Sequence, residues 1–266
     1  MVIQNLKSVM SKNKDVNNRA YLRNLLKEEL QVYVLNFIYT SQYKDLIFTG
    51  GTCLRKFYNL PRLSEDLDFN IKDKTFDFLK FQSDLKNYFI KDLQYKDVNL
   101  KFKNKTIMIK FPVLREIGFS GLSDTDILFL RLDFSFGYKK EFGEERKLYS
   151  EGDFSFLANC YDFKTLMINK IDAFLNRTYK KGSNQQESFK GRDAFDIVWM
   201  LERVKKLTDN SDFLTNELKK KILIKAKKIN PDDLYFDLSN FFADSHFVKD
   251  FCDNFLDLVK TGIKNI

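Results

Sequence analysis

Apolar side chains recur at Leu22, Leu25, Leu26, Leu30, Tyr33, Val34, Phe37 and Ile38, the i, i+3, i+4, i+7 spacing of an amphipathic helix over residues 19–42. The period then shortens to two. Asp45 to Thr49 reads as a short apolar strand, Leu67 to Ile71 as a second, and Val98 to Phe111 as a hairpin that turns near Asn104. Ile127 to Phe136 alternates, with Leu128, Leu130, Leu132, Phe134 and Phe136 on one face and Arg131, Asp133 and Ser135 on the other. A helix at about residues 75–93 interrupts these strands. From Asp162 the pattern is helical: Met167, Ile171, Phe174 and Leu175 make one stripe, Ala194, Ile197, Val198, Leu201 and Val204 another, and two more helices are expected over Asp212–Ile229 and Ser245–Lys260. No strand is expected there, and the polar, Gly/Ser/Asn/Gln-rich Lys180–Lys190 reads as a mobile loop. The order predicts an α+β chain: a mixed β-sheet domain with N-terminal and flanking helices over residues 1–160, then a helical C-terminal domain over residues 161–266.

Composition narrows the classes. A chain that is 44% apolar and 15% aromatic over 266 residues is not wholly disordered. No apolar run approaches the ~20 residues that span a bilayer, and the first ten residues lack a signal-peptide core, so no membrane association and no processing are expected. The cysteines Cys53, Cys160 and Cys252 are odd in number and far apart, which offers neither a disulfide framework nor a CxxC knuckle and fits a cytoplasmic protein. His246 is the only histidine, so His-rich zinc sites and catalysis resting on any other histidine are closed off. Chemistry must come from carboxylates, lysines and backbone groups. The net charge of +8 favours an anionic partner without naming one.

Gly50 and Gly51 are the only adjacent glycines, and they sit between the apolar Leu46-Ile47-Phe48 and a helical stretch from Cys53 to Tyr58. A glycine pair there lets backbone approach a ligand closely, and free N–H groups at a helix start attract phosphate; it is also what an ordinary strand-to-helix turn looks like. Fifteen positions after Gly51 comes Asp66, followed by Leu67 and Asp68. On a strand the two carboxylates share one face, roughly 6.5 to 7 Å apart at the backbone, and repel unless a cation lies between them. Mg²⁺ or Mn²⁺ with oxygen ligands is the natural occupant, and a solvated strand face is the alternative for an isolated pair. Asp133, flanked by Leu132 and Phe134, shifts that balance, because three carboxylates on two strands can hold two metal ions for phosphoryl or nucleotidyl displacement. Asp124-Thr125-Asp126 lies in Gly/Ser-rich sequence and reads as a turn.

The run Phe48-Thr49-Gly50-Gly51-Thr52-Cys53-Leu54, with Arg62-Leu63-Ser64-Glu65-Asp66-Leu67-Asp68-Phe69 and the later Asp133, resembles the nucleotidyltransferase superfamily signature. More specifically it is similar to the AbiEii/AbiGii toxin family, the MenT-like nucleotidyltransferases of toxin–antitoxin and phage-defence systems. Two later motifs of that family also have matches: Lys170 within Leu166–Ala173, and Arg192-Asp193-Ala194-Phe195-Asp196. The resemblance covers about residues 45–200.

Lys170 lies one turn from Met167 and Phe174 at the edge of an apolar stripe, a position that suits either a snorkelling lysine or one that reaches a cleft between domains. Arg192 and Asp196 stand at i, i+4, a spacing typical of a helix-surface ion pair, which makes Asp193 the better functional candidate. Arg62 and Arg55 are weaker candidates for phosphate or acceptor contacts, and Ser64 for a phosphate hydrogen bond, though a serine beside a turn needs no function. The basic segment Lys219, Lys220, Lys221, Lys225, Lys227 and Lys228, with Lys180, Lys181, Lys190 and Arg192, reads either as an RNA-backbone track or as a solvated helix face.

The resemblance implies an NTP-dependent nucleotidyltransferase that uses Mg²⁺ or Mn²⁺. Asp66, Asp68 and Asp133 are the implied metal ligands, Gly50, Gly51, Thr52 and Ser64 nucleotide contacts, and Lys170 and Asp193 catalytic and nucleotide-binding residues. The implied acceptor is the tRNA 3′ end, and the implied effect is growth arrest relieved by a cognate antitoxin. A transferase acting on a protein hydroxyl or a small molecule is one alternative; a non-catalytic RNA-binding module, which has no use for clustered carboxylates, is the other.

Overall fold

Two helices precede the first strand, α1 (Val2–Lys12) and α2 (Arg19–Tyr39). The apolar side chains of α2 cover most of its circumference, so the helix has to be buried, and Leu26, Leu30, Tyr33, Val34, Leu35 and Ile38 are without exposed surface. Asn18 caps its start by accepting the Tyr21 N–H at 3.0 Å. The strands are β1 (Ile47–Thr49), β2 (Asp66–Asn70), β3 (Asn99–Lys103), β4 (Thr106–Pro112), β5 (Ile127–Ser135), β6 (Glu144–Glu151) and β7 (Phe154–Tyr161). They form one sheet of order β3-β4-β5-β2-β1-β7-β6. The pairs β2–β5 and β1–β7 are parallel and the other four antiparallel. Between β1 and β2 lies α3 (Gly50–Tyr58); between β2 and β3 lies α4 (Phe78–Asn87), extended by a π turn at Tyr88–Asp92.

In this computed structural model, which describes residues 1–139, 141–177, 179–181, 186–208 and 211–266, contacts separate the chain into two units, Met1–Tyr161 and Asp162–Ile266. The core of the first unit is aromatic. Phe48, Phe69 and Phe134 are cross-strand neighbours on β1, β2 and β5 and stack with centroid distances of 5.3 and 5.7 Å. Phe81 of α4 meets Phe134 edge-on at 5.4 Å. The hairpin β3–β4 turns through Asn104 and Lys105, both at positive φ (50° and 62°), the two-residue geometry whose twist matches the strands.

The second unit contains α5 (Phe163–Asn176), α6 (Gly191–Leu201), the single turn α7 (Val204–Leu207), α8 (Asn216–Ala226), α9 (Pro231–Leu238) and α10 (Ser245–Lys264). Central to it is α6, buried on nearly every side, with α5, α9 and α10 packed against it. Among the described residues no helix is long and apolar enough to cross a membrane.

Several elements differ from the sequence reading. Strands β6 and β7, α1 and α9 were not expected. The Lys180–Lys190 segment is not simply a loop: β8 (Tyr179–Lys181) and β9 (Gln186–Ser188) pair antiparallel, so the helical part does contain strand. Residues 182–185, and the side chains of Lys180 and Lys181 expected on an RNA track, lie outside the described residues.

Candidate active site

The register across the sheet sets the site. Thr49, Asp68, Asp133, Thr106 and Lys103 are successive cross-strand partners through β1, β2, β5, β4 and β3. One step along, Asp66 lies opposite Arg131. Residues of one row share a face, and the two rows belong to the same face, so Asp66, Asp68 and Asp133 project from one side while Leu67, Phe69, Leu132 and Phe134 project into the core. The stacked phenylalanine row lies one residue from the carboxylate row on each of the three strands, which fixes the backbone that carries the acids.

Gly50 opens α3 at φ +78°, and a Cβ built there would stand 2.1 Å from Asp68 Oδ2 and 2.8 Å from its Cγ. Only glycine accommodates both that conformation and that approach. A Cβ on Gly51 would meet Arg62 Nη2 at 2.8 Å and Ser64 Oγ at 3.0 Å. The glycine pair thus lies directly against the second acid and beside the Arg62–Ser64 wall. Thr52 donates its hydroxyl to the Asp66 carbonyl, tying the first turn of α3 to the start of β2. From α2, Gln31 donates to the Ser64 carbonyl at 2.8 Å and Lys27 pairs with Glu65 at 2.9 Å. Arg62, expected to contact an acceptor, is 2% exposed and donates to the Leu63 carbonyl. It is a buried wall behind the glycine turn rather than a surface contact for RNA.

A second anchor holds α3 from its far end. Arg55 Nε pairs with Glu28 of α2 at 2.8 Å, with Lys56 Nζ at 3.8 Å from the same carboxylate. Burial works to raise the Glu28 carboxyl, but Lys56 and Arg55 outweigh it and hold the group below its usual range. Lys56 is pushed down by its own deeper burial despite Glu28, so the shorter Arg55–Glu28 contact carries the stabilising part of this cluster.

Asp133 is held by its neighbours. Thr106 donates to Oδ1 at 2.6 Å, and Arg131 Nε lies 3.0 Å from Oδ1 and 2.8 Å from Oδ2. Burial works to lower the Arg131 guanidinium, yet Asp133, with smaller effects from Asp66 and Asp68, keeps it above its ordinary value. The field of all three carboxylates therefore converges on one arginine. Sequence reasoning placed Arg131 on the polar face and gave it no role; the Arg131-x-Asp133 spacing was the available signal. Among the described residues no three His, Cys, Asp or Glu side chains are gathered closely enough to hold a metal ion as they stand. The donor chemistry nevertheless fits a hard divalent cation, since two carboxylates are direct cross-strand neighbours and the third lies two residues along the same face. Asp124 and Asp126 accept backbone N–H groups of Gly121 and Arg115, in keeping with a turn.

In the second unit, Lys170 of α5 reaches two acids of α6, Asp196 at 2.7 Å and Asp193 at 3.4 Å. Asp193 also receives Arg177 at 3.2 Å. Asp196 is wholly buried, so the surface pair expected between Arg192 and Asp196 is corrected: Asp196 is the nearer acid to Lys170, and Arg192 lies over the Phe241 ring at 4.6 Å. Helical geometry explains the error, because i, i+4 spacing specifies a face and not its exposure. On α8, Lys220 and Lys221 are exposed, Lys219 is half-buried, and Lys221 is engaged by Glu217 at 2.6 Å.

A mixed sheet with acids on adjacent parallel strands, and a glycine turn pressed against one of them, defines the nucleotidyltransferase class. Two solved structures share the fold. One is a protein from H. pylori assigned to the nucleotidyltransferases, at 17% identity and TM-score 0.53, covering 91% of this chain and 95% of that one. The other is JHP933 from Helicobacter pylori, at 15% identity and TM-score 0.51, covering 91% and 92%. The profile of the family described as "Nucleotidyl transferase AbiEii toxin, Type IV TA system" matches residues 37–258, and the chain belongs to that family. It is a nucleotidyltransferase. No curated protein matches it.

Proposed function

We propose that this transferase moves a nucleoside monophosphate from an NTP to the 3′ end of an RNA, by family resemblance the tRNA acceptor end, and that it does so in the cytoplasm to arrest growth until a cognate antitoxin intervenes. The observation that carries the reading is the cross-strand pair Asp68–Asp133 with Gly50 flush against Asp68. Asp66, Asp68 and Asp133 are the residues to hold Mg²⁺ or Mn²⁺. A divalent ion bound there supplies positive charge to the triphosphate and to the entering and leaving oxygens.

Every other part of the proposal concerns the chain's own groups. The N–H groups at the start of α3, at Gly50, Gly51 and Thr52, face the position for phosphate oxygens, with the Ser64 hydroxyl beside them. Thr106 and Arg131 hold the Asp133 carboxylate in a single orientation toward the attacking hydroxyl. By family resemblance Lys170, which pairs with Asp196 and Asp193 inside the helical unit, is assigned to the negative charge that develops on leaving pyrophosphate. Lys219, Lys220 and Lys221 add general attraction for a phosphate backbone. Incubation with total RNA and each labelled NTP in turn tests the proposal. Label on tRNA-sized RNA with one preferred NTP is expected; label on protein instead would move the acceptor to a side-chain hydroxyl.

A further inference from the structure

We propose that the open face of β3, β4 and β5 is the docking track for a single-stranded polynucleotide 3′ end. The inference rests on the transferase reading above and adds where the acceptor lies. The helices α2 and α4 pack on the opposite face of these strands, where Leu128, Leu130 and Leu132 are buried. The face that carries Asp133 is left open to solvent along β5, with the Arg131 side chain 49% and Phe129 38% exposed. Lys101 and Lys103 of β3 are exposed on that face, and Lys110 of β4 sets its ammonium 5.5 Å from the centre of the Phe129 ring. Of these six residues Asp133 alone is acidic.

Direction follows from the register. Asp68 stands between the glycine turn on the β1 side and Asp133 on the β5 side. The NTP phosphates belong with the glycine turn, so an acceptor hydroxyl comes to Asp133 from across β5, β4 and β3. That approach passes over cations and one exposed ring, the combination that follows a phosphodiester backbone and stacks a base without reading its edges. A folded protein acceptor would leave an exposed phenylalanine set among lysines without a purpose.

The test is fluorescence anisotropy of a 5′-labelled single-stranded 12-mer RNA, and of the DNA of the same sequence, titrated with full-length protein at several salt concentrations. Phe129→Ala is expected to weaken RNA binding about fivefold or more, and Phe129→Tyr to retain it, because stacking needs the ring. Replacing Lys101, Lys103 and Lys110 together by Ala is expected to flatten the salt dependence by about two units of slope, at ~0.7 per single-strand phosphate contact. All of these positions are on the open face, so melting temperatures are expected to stay near wild type and NTP binding to be unchanged. A weaker DNA complex would assign the track to RNA, whereas equal binding would assign it to backbone and base alone; either supports the track. Undiminished RNA affinity in both sheet variants, or loss confined to a Lys219/Lys220/Lys221→Ala variant, overturns it while the transferase reading stands. A wild type that labels no nucleic acid with any NTP removes that reading itself.

Discussion

Gly50→Ala isolates the contact that joins the glycine turn to the acids. The new methyl group meets two obstacles. Backbone at φ +78° costs an L-residue about 1–2 kcal/mol. The Cβ also falls 2.1 Å from Asp68 Oδ2 and 3.0 Å from Asp68 Cβ, and Asp68 cannot retreat through its backbone, which is paired on both sides with Thr49 and Asp133. The carboxylate must rotate away, at about 0.5–1.5 kcal/mol for an off-rotamer side chain. Together about 2–3 kcal/mol is lost, a fall of about 4–12 °C in melting temperature for a unit of this size. Catalysis should suffer more, since a displacement of about 1 Å at a reacting group costs about 100-fold in rate. Gly51→Ala is the control: it carries no left-handed backbone, its Cβ meets Arg62 Nη2 and Ser64 Oγ rather than an acid, and its expected effect is on KM for NTP with kcat largely kept. Transfer of labelled nucleotide and a thermal melt read both variants. Wild-type kcat and melting temperature in Gly50→Ala would refute the close approach of turn and acid.

Two further outcomes are expected. Asp196→Asn should destabilise the helical unit by about 3 kcal/mol, at the low end for a broken buried pair because Asp193 still reaches Lys170, as read by a thermal melt. Glu28, held below its ordinary range, stabilises the fold fully above the unfolded carboxyl value, and that contribution is lost as pH falls through the lower folded value; Glu28→Gln should therefore be less stable at neutral pH and show a shallower acid transition below about pH 4.5, followed by melting temperature against pH.

The parts legible in sequence are those where burial and periodicity coincide. Leu67 and Phe69 point inward and Asp66 and Asp68 outward, so the alternation of β2 named both strand and site, and β5 did the same for Asp133. Strand β6 gave no signal because it is an edge strand: of Glu144–Glu151 only Tyr149 is buried. Its partner β7 keeps the period of two in burial, but the exposed Leu157 breaks the polar side formed by Ser155 and Asn159, which blurs the pattern in sequence. The roles of Thr106 and Gln31 depend on strand order and helix docking, which bring a residue 27 positions from Asp133, and one 33 positions from Ser64, to hydrogen-bond distance. Burial of Arg62 and Asp196 was equally hidden, since charged residues are ordinarily exposed and only their buried partners keep these inside.

Pyrophosphate release is the most direct measurement of the central claim, that three sheet acids carry nucleotidyl transfer. With RNA acceptor, NTP and Mg²⁺, wild type should release pyrophosphate in step with label incorporation. Asp68→Asn should lose both while its melting temperature stays near wild type or rises, because a like charge is relieved between Asp66 and Asp133. Wild-type release in a folded Asp68→Asn would contradict the account.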